Sequence, residues 1–376
     1  MAEIERKIKD RSVPDILTFK NGKPVVSQQD FEKRRKEILT LLSESEYGIL
    51  PERPDHLRVE ALSTDRSFAA GKATLSELKF TVTVRERELS FPVRAVIPKS
   101  DERIPALVKI AHEPQVPSKF LPAEEISDSG FAVFSFLFSD ITYANSDFSR
   151  GFAKLLSPAR RKLNSPGKTA MWAWAAMRVM DYVEALDYID TESIAVIGHG
   201  TLGIASLLAG ANDERFKYVI SNCSGTSGAA LTRGKRGENL ASVALYRDFL
   251  FCPKYKSYVT KENSLPHDQH FLLASIAPRH VLIGSAAEDS KSDFESEFLS
   301  AYLANRVYEK IYGASHPSEL DKIPTRPVSV DSEYVHYHLR DGLSYLSRED
   351  WRAYTDYINN HRKSEQSRDF IIKKVK

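Results

Sequence analysis

Cysteine is scarce in this chain: Cys223 and Cys252 are the two present in 376 residues. They form neither a CxxC pair nor a set of paired spacings, which excludes a disulfide-stapled scaffold and a zinc ribbon. Long apolar runs are missing as well. None approaches the roughly 18 residues that a membrane-spanning helix requires, so no membrane is expected as a partner. Charge of one sign is also lacking, since 53 Lys and Arg stand against 51 Asp and Glu, a formal net charge of +2. A surface so balanced has no broad basic face for nucleic acid. The opening stretch MAEIERKIKDRSVPDILTFK is charged and carries no apolar run of signal-peptide length. With two thiols read as reduced, it leads to the expectation of a cytoplasmic protein. There is no internal repeat, no low-complexity block and no motif that asks for a metal or cofactor.

What is present alternates between strands and helices. Residues 29–46 place Phe31, Ile38, Leu39, Leu41 and Leu42 at helical spacing, which predicts one amphipathic helix. The segment ELKFTVTVRERELSFPVRAVIP (77–98) alternates like two antiparallel strands. ALVKIAHE (106–113), FAVFSFLF (131–138), IAVIGHG (194–200), YVISNCSG (218–225) and RHVLIGSAAED (279–289) are short apolar runs suited to buried strands. Between them lie SPGKTAMWAWAAMRVMDYVEAL (165–186), a long helix with Ser165 as its predicted cap and Pro166 behind it, and the helix TLGIASLLAGA (201–211). This order predicts an α/β fold with a mostly parallel central sheet and helices on both faces. A helical leader is expected over residues 1–70, packed on a core domain of residues 71–376. Residues 226–265 have few apolar runs and read as a lid-like or rim insertion.

The stretch SIAVIGHGTLGIASLLAG (193–210) has the pattern of a nucleophile elbow, in which a tight strand-to-helix turn lifts a serine above the sheet. At its tip stands Gly200, which has no side chain with which to attack. In open α/β sheets, ligands gather at the carboxyl ends of the strands. Gly200, Cys223, Asp289 and His316 are all expected just past such ends. Trp172 and Trp174 on the long helix read as core. His267 and His270, three apart, read as hydrogen-bonded rim histidines in preference to metal ligands. Ser224 reads as a polar filler.

From about residue 105 to 362 the chain resembles the bacterial glucuronoyl esterases of carbohydrate esterase family 15. The similar segments come in order: LPAEEISDSGFAVFSF, the 165–186 helix, IAVIGH, AGANDERFKYVISN, SGAAL, HDQHFLLASIAPR, SAAEDSKSDFESEFLSA, YHLRDG and LSREDW. The resemblance implies an α/β-hydrolase fold and activity on 4-O-methyl-glucuronate esters linking xylan to lignin. It also shows where this chain departs. The family elbow reads Gly-His-Ser-Arg-x-Gly-Lys; here Gly198 and His199 are followed by Gly200, Thr201, Leu202, Gly203 and Ile204. The resemblance thus puts Gly200 at the nucleophile, Thr201 at the oxyanion arginine and Ile204 at a sugar-binding lysine. It puts Ser344 at the base histidine, Asp289 at the acid, Lys291 at a sugar-stacking tryptophan and Cys223 at an alternative acid. Glu238 matches a glutamate that contacts sugar hydroxyls, and His199 a packing residue of the elbow.

Nucleophile, base, oxyanion arginine, sugar lysine and stacking tryptophan are all replaced, so the expected protein is a catalytically degenerate relative. It would keep a cleft for a carbohydrate or uronate ligand. Two alternatives stand beside it: an active ester hydrolase with relocated machinery such as Cys223 with His316, and a scaffold or interaction protein with no named protein partner.

Overall fold

The computed structural model describes the backbone of residues 2–375 and the side chains through Arg362. Among them ten strands form one sheet: β1 His56–Asp65, β2 Ala73–Val84, β3 Arg87–Pro98, β4 Ile104–Ala111, β5 Ala132–Leu137, β6 Ile189–His199, β7 Tyr218–Asn222, β8 His280–Ala286, β9 Val328–Asp331 and β10 Val335–Arg340. Their spatial order is β1-β2-β3-β5-β4-β6-β7-β8-β10-β9. The middle of the sheet, from β5 to β10, is parallel. Both edges are antiparallel. The central strands are continuous apolar runs because helices cover both their faces, and all eight residues of β4 are buried. One face packs on the helices Gln28–Leu42, Lys168–Val183, Thr201–Asn212 and Phe294–Val307. Trp351, Tyr354 and Ile358 of the C-terminal helix Arg348–Val375 cover the other.

Several expected boundaries shift for identifiable reasons. The helix predicted over 29–46 runs Gln28–Leu42 and then widens into a π-helical turn at Ser43–Tyr47. That turn swings Glu46 and Tyr47 into the core. There Tyr47 Oη donates to Ser227 O at 2.7 Å, and Gln269 Nε2 donates to the Glu46 carboxyl at 3.0 Å. The long helix begins at Lys168, not at Ser165. The Ser165 hydroxyl instead accepts from Lys162 N, and Gly167 N is taken by Tyr47 O, so the three preceding residues are held as a loop. The leader is not wholly helical, because β1 lies within it and forms one edge of the sheet. Its first helix, Ala2–Asp10, docks through Lys7 Nζ on Glu295 Oε1 at 2.9 Å. The 226–265 insertion is no loose flap: Ala229, Leu231, Leu250, Phe251 and Tyr255 are buried.

His267 and His270 are a correction of place. Both are fully buried instead of lying on a rim. The Nε2 of His267 meets Ser45 Oγ at 3.0 Å, and His270 Nε2 donates to Pro14 O at 3.1 Å. Among the described residues no three His, Cys, Asp or Glu side chains gather into a metal-binding group. No helix among them is long and apolar enough to cross a membrane. Burial holds the His270 imidazole down at about 4. Its unfolded value is about 6.5, so between those limits the unfolded chain binds the extra proton. Stability from this residue is therefore present above pH 6.5 and lost as pH falls toward 4. The urea midpoint of the wild type should fall more steeply over that window than that of His270→Gln. The unfolding free energies extrapolated from those titrations should diverge by about 2–3 kcal/mol between pH 6.5 and 4.

Candidate functional site

The parallel strands bring four residues into one row across the sheet. His199 pairs with Asn222, Asn222 with Gly284, and Gly284 with His338. Just beyond this row lies the carboxyl edge of the sheet. After His199 the chain turns at Gly200 and enters the helix Thr201–Asn212. Gly200 has φ 57° and ψ −129°, a conformation that costs an L-residue about 1–3 kcal/mol. Its N–H donates to Asn222 O at 2.8 Å. The strand and helix meet so closely that a Cβ on Gly198 would lie 2.0 Å from Leu202 O, whereas a Cβ on Gly200 would meet nothing within 4 Å. The sequence therefore builds the elbow with its tip open, and leaves that tip without a side chain.

Asp289, three residues past β8, is buried in a turn of its own making. Its Oδ1 accepts from the backbone N–H groups of Lys291 and Ser292, at 3.0 and 3.2 Å, and its Oδ2 from Ser292 Oγ at 2.6 Å. Burial pushes its carboxyl up, but the bonds from Ser292, Lys291 N–H and the Ser344 hydroxyl outweigh it and hold it below the usual range. Asp289 and Ser344 are thus adjacent, as an acid and a base would be. The loops that carry them are joined by Glu288 N donating to Gly342 O at 3.0 Å. Ser344 is exposed.

The elbow histidine is neutral. His199 Nδ1 donates to Asn222 Oδ1 at 2.7 Å, and the Asn222 amide donates onward to Tyr354 Oη at 2.9 Å. Burial is the main cause that brings its imidazole down to about 4. Phe120 stacks on the ring with centroids 5.8 Å apart. His112, just past β4, donates its Nε2–H to His199 O at 3.0 Å. Sequence reasoning missed His112, although the rule that selected Gly200 and Asp289, a polar residue just past a strand, applies to it equally.

The remaining expected residues divide. Glu238 reaches the rim from the insertion and forms an ion pair with Arg247. Arg247 Nη1 also donates to Thr201 Oγ1 at 3.3 Å. Arg247 was not foreseen, because nothing in an insertion of irregular structure marks one arginine over another. Lys291 is exposed beside them, its carbonyl accepting from Glu238 N at 3.3 Å. Ile204 is 3% exposed and packs in the core, so a ligand cannot reach its side chain. Trp172 and Trp174 are core residues whose indole N–H groups donate to Thr142 O and Glu52 O. The Ser224 hydroxyl fills a buried polar position, accepting from Ser221 Oγ at 2.8 Å.

Cys223 and His316 are not brought together. Cys223 is buried, and burial, reinforced by Glu297, Asp350 and Asp289, pushes its thiol far up, away from the thiolate a nucleophile requires. His316 follows the helical segment Tyr308–Tyr312 instead of a strand. Its Nδ1 meets Glu309 Oε1 at 2.6 Å and its Nε2 meets Asp321 Oδ1 at 3.0 Å, so both ring nitrogens are taken.

A mostly parallel sheet flanked by helices, with a strand–turn–helix elbow at its carboxyl edge, defines the α/β-hydrolase class. A family model described as glucuronyl esterase of fungi matches residues 80–312. A protein named carbohydrate esterase MZ0003, from an unknown prokaryotic organism, is 40% identical over 195 residues, 52% of this chain and 44% of that protein. The 4-O-methyl-glucuronoyl methylesterase 1 of Phanerochaete chrysosporium is 30% identical over 287 residues, 72% of this chain and 56% of that one. The structure of the glucuronoyl esterase from Solibacter usitatus matches with a TM-score of 0.85 at 28% identity, covering 93% of this chain and 97% of that one. The chain belongs to the glucuronoyl esterase family. It spans about half the length of the carbohydrate esterase MZ0003 and of the Phanerochaete enzyme.

The elbow geometry separates two neighbouring glycines. Gly198→Ala should lower stability by roughly 2–4 kcal/mol, because backbone must move to admit the methyl group. Gly200→Ala should cost less than that, within about 1–3 kcal/mol, from dihedral strain alone. Equilibrium denaturation of both variants checks the order. Equal losses would contradict an open tip.

Proposed function

We propose that this family member binds uronate-type sugars at the elbow cleft without hydrolysing their esters. The observation that carries the proposal is Gly200. Acyl transfer by this class of fold requires a nucleophile at the elbow tip, a base to take its proton and an acid to orient that base. Here the tip has no side chain, and the position beside Asp289 holds a serine hydroxyl, which is no base at neutral pH. Loss of the nucleophile alone costs about a millionfold in kcat in a serine hydrolase. The ligand class is carried over from the relatives, whose names give 4-O-methyl-glucuronoyl esters as their substrates. The two buried, unpaired cysteines, Cys223 and Cys252, support a reducing compartment such as the cytoplasm, where a soluble uronate would be met in place of a polymer.

Repair tests the proposal. The wild type should give no turnover of benzyl glucuronate above background. Gly200→Ser combined with Ser344→His should restore a trace, at least about tenfold over wild type, since a side chain fits at the tip and Asp289 already faces residue 344. Adding Thr201→Arg should raise it further. Wild-type turnover near the enzyme median of about 10 s⁻¹ would refute the proposal.

A further inference from the structure

Arg247 is the cleft residue that neither the elbow nor the replaced catalytic positions account for. It follows the helix Leu240–Tyr246, and its side chain is 35% exposed. One terminal nitrogen lies on Thr201 Oγ1, next to the elbow tip, and the other on Glu238 Oε2. A guanidinium therefore stands over the elbow, delivered from the insertion instead of from the residue after the tip. Charged groups near it on this rim include Lys235, whose Nζ donates to Glu238 O at 2.8 Å, exposed Lys291, Asp289, and Asp293, which accepts from Arg236 N at 2.9 Å. Both oxygens of Asp289 are occupied by its own turn. Glu238, 28% exposed, is the carboxylate that satisfies Arg247. Lys235, Arg247 and Lys291 thus share this rim with the carboxylates of Glu238, Asp289 and Asp293.

We propose that Arg247 recognises the carboxylate of a free uronate, so that the cleft takes the acid in preference to its ester. This rests on the reading of the cleft as a non-hydrolysing uronate site. A guanidinium fork matches a carboxylate with two parallel charge-assisted bonds. An esterified carboxyl offers a neutral carbonyl acceptor and no charge. Glu238 already holds one carboxylate oxygen against one arm of this fork while the other arm rests on Thr201 Oγ1, so both arms are presented where the ligand group would bind. Exchange replaces one ion pair by another and frees Glu238 to accept from the sugar hydroxyls. The absence of a side chain at Gly200 leaves room for the ligand's carboxylate beside Thr201.

The test is calorimetric titration of the full chain, at low salt, with D-glucuronate and with methyl D-glucuronate. Wild type should bind the acid about tenfold or more tighter than the ester, the range expected for a charged hydrogen-bonded pair. Arg247→Gln should lose that preference by weakening the acid about tenfold while leaving ester affinity within about twofold. Arg247→Lys, which keeps the charge and loses the fork, should retain part of the preference, and it carries the test should Arg247→Gln melt early. Glu238→Gln should widen the acid-to-ester ratio by removing the competing carboxylate. An unchanged ratio in both Arg247 variants, or a wild type that favours the ester, overturns the role of Arg247 while leaving uronate binding intact. Turnover of the methyl ester by wild type, or binding of neither ligand, overturns the underlying reading and this one with it.

Discussion

Between Gly198 and Leu202 the backbone passes from strand to helix so tightly that a carbonyl occupies the space where a Cβ at residue 198 would be. That close approach fixes the direction in which residue 200 points, and the positive φ at Gly200 turns it away from the sheet and into the open. The rest of the cleft is organised around this turn. The N–H of Gly200 bonds to the end of β7, His199 bonds to Asn222 on that same strand, and the amide of Asn222 ties both to Tyr354 on the C-terminal helix. A family scaffold for presenting a nucleophile has been kept with its hydrogen bonds satisfied, although the group it presents is a hydrogen atom.

The polar groups around the turn are held in hydrogen bonds of their own. The carboxylate of Asp289 is taken up by the backbone and side chain of its own turn and by the Ser344 hydroxyl, which stands where a base would be oriented. The imidazoles of His199 and His112 are both held below their usual values, with burial as the leading cause. Neutral rings of this kind accept and donate single hydrogen bonds well. Near the tip, Arg247 supplies a guanidinium, which neither attacks nor takes up a proton at neutral pH.

Much of the architecture was legible in the chain because the central strands are unbroken apolar runs and the intervening helices are long. The hairpin of β2 and β3 shows its alternation plainly. The glycine at the tip of the turn could be read for the same reason: the strand-to-helix elbow demands a glycine-rich pattern around one position, and residue 200 was visibly glycine. What could not be read were features set by distant contacts. The π-helical turn at Ser43–Tyr47 exists because Glu46 and Tyr47 find partners more than 170 residues away, at Ser227 and Gln269. The early loop at Ser165 reflects a backbone bond to Tyr47. His267 and His270 looked like polar rim residues because periodicity does not reveal that a neighbouring segment will cover them. In the cleft, Asp289 was legible from its place just past a strand, and Glu238 through the family resemblance alone. Arg247 was not, because its meaning lies in a contact with Thr201 across the insertion.

The central claim is that no atom of this cleft accepts an acyl group, and the direct measurement is the intact mass of the full chain after incubation with an activated uronate ester. The account predicts an unaltered mass at every time sampled before and after acid quench. A stable increment equal to the uronoyl group, mapped by peptide sequencing to any side chain around the elbow, would contradict it.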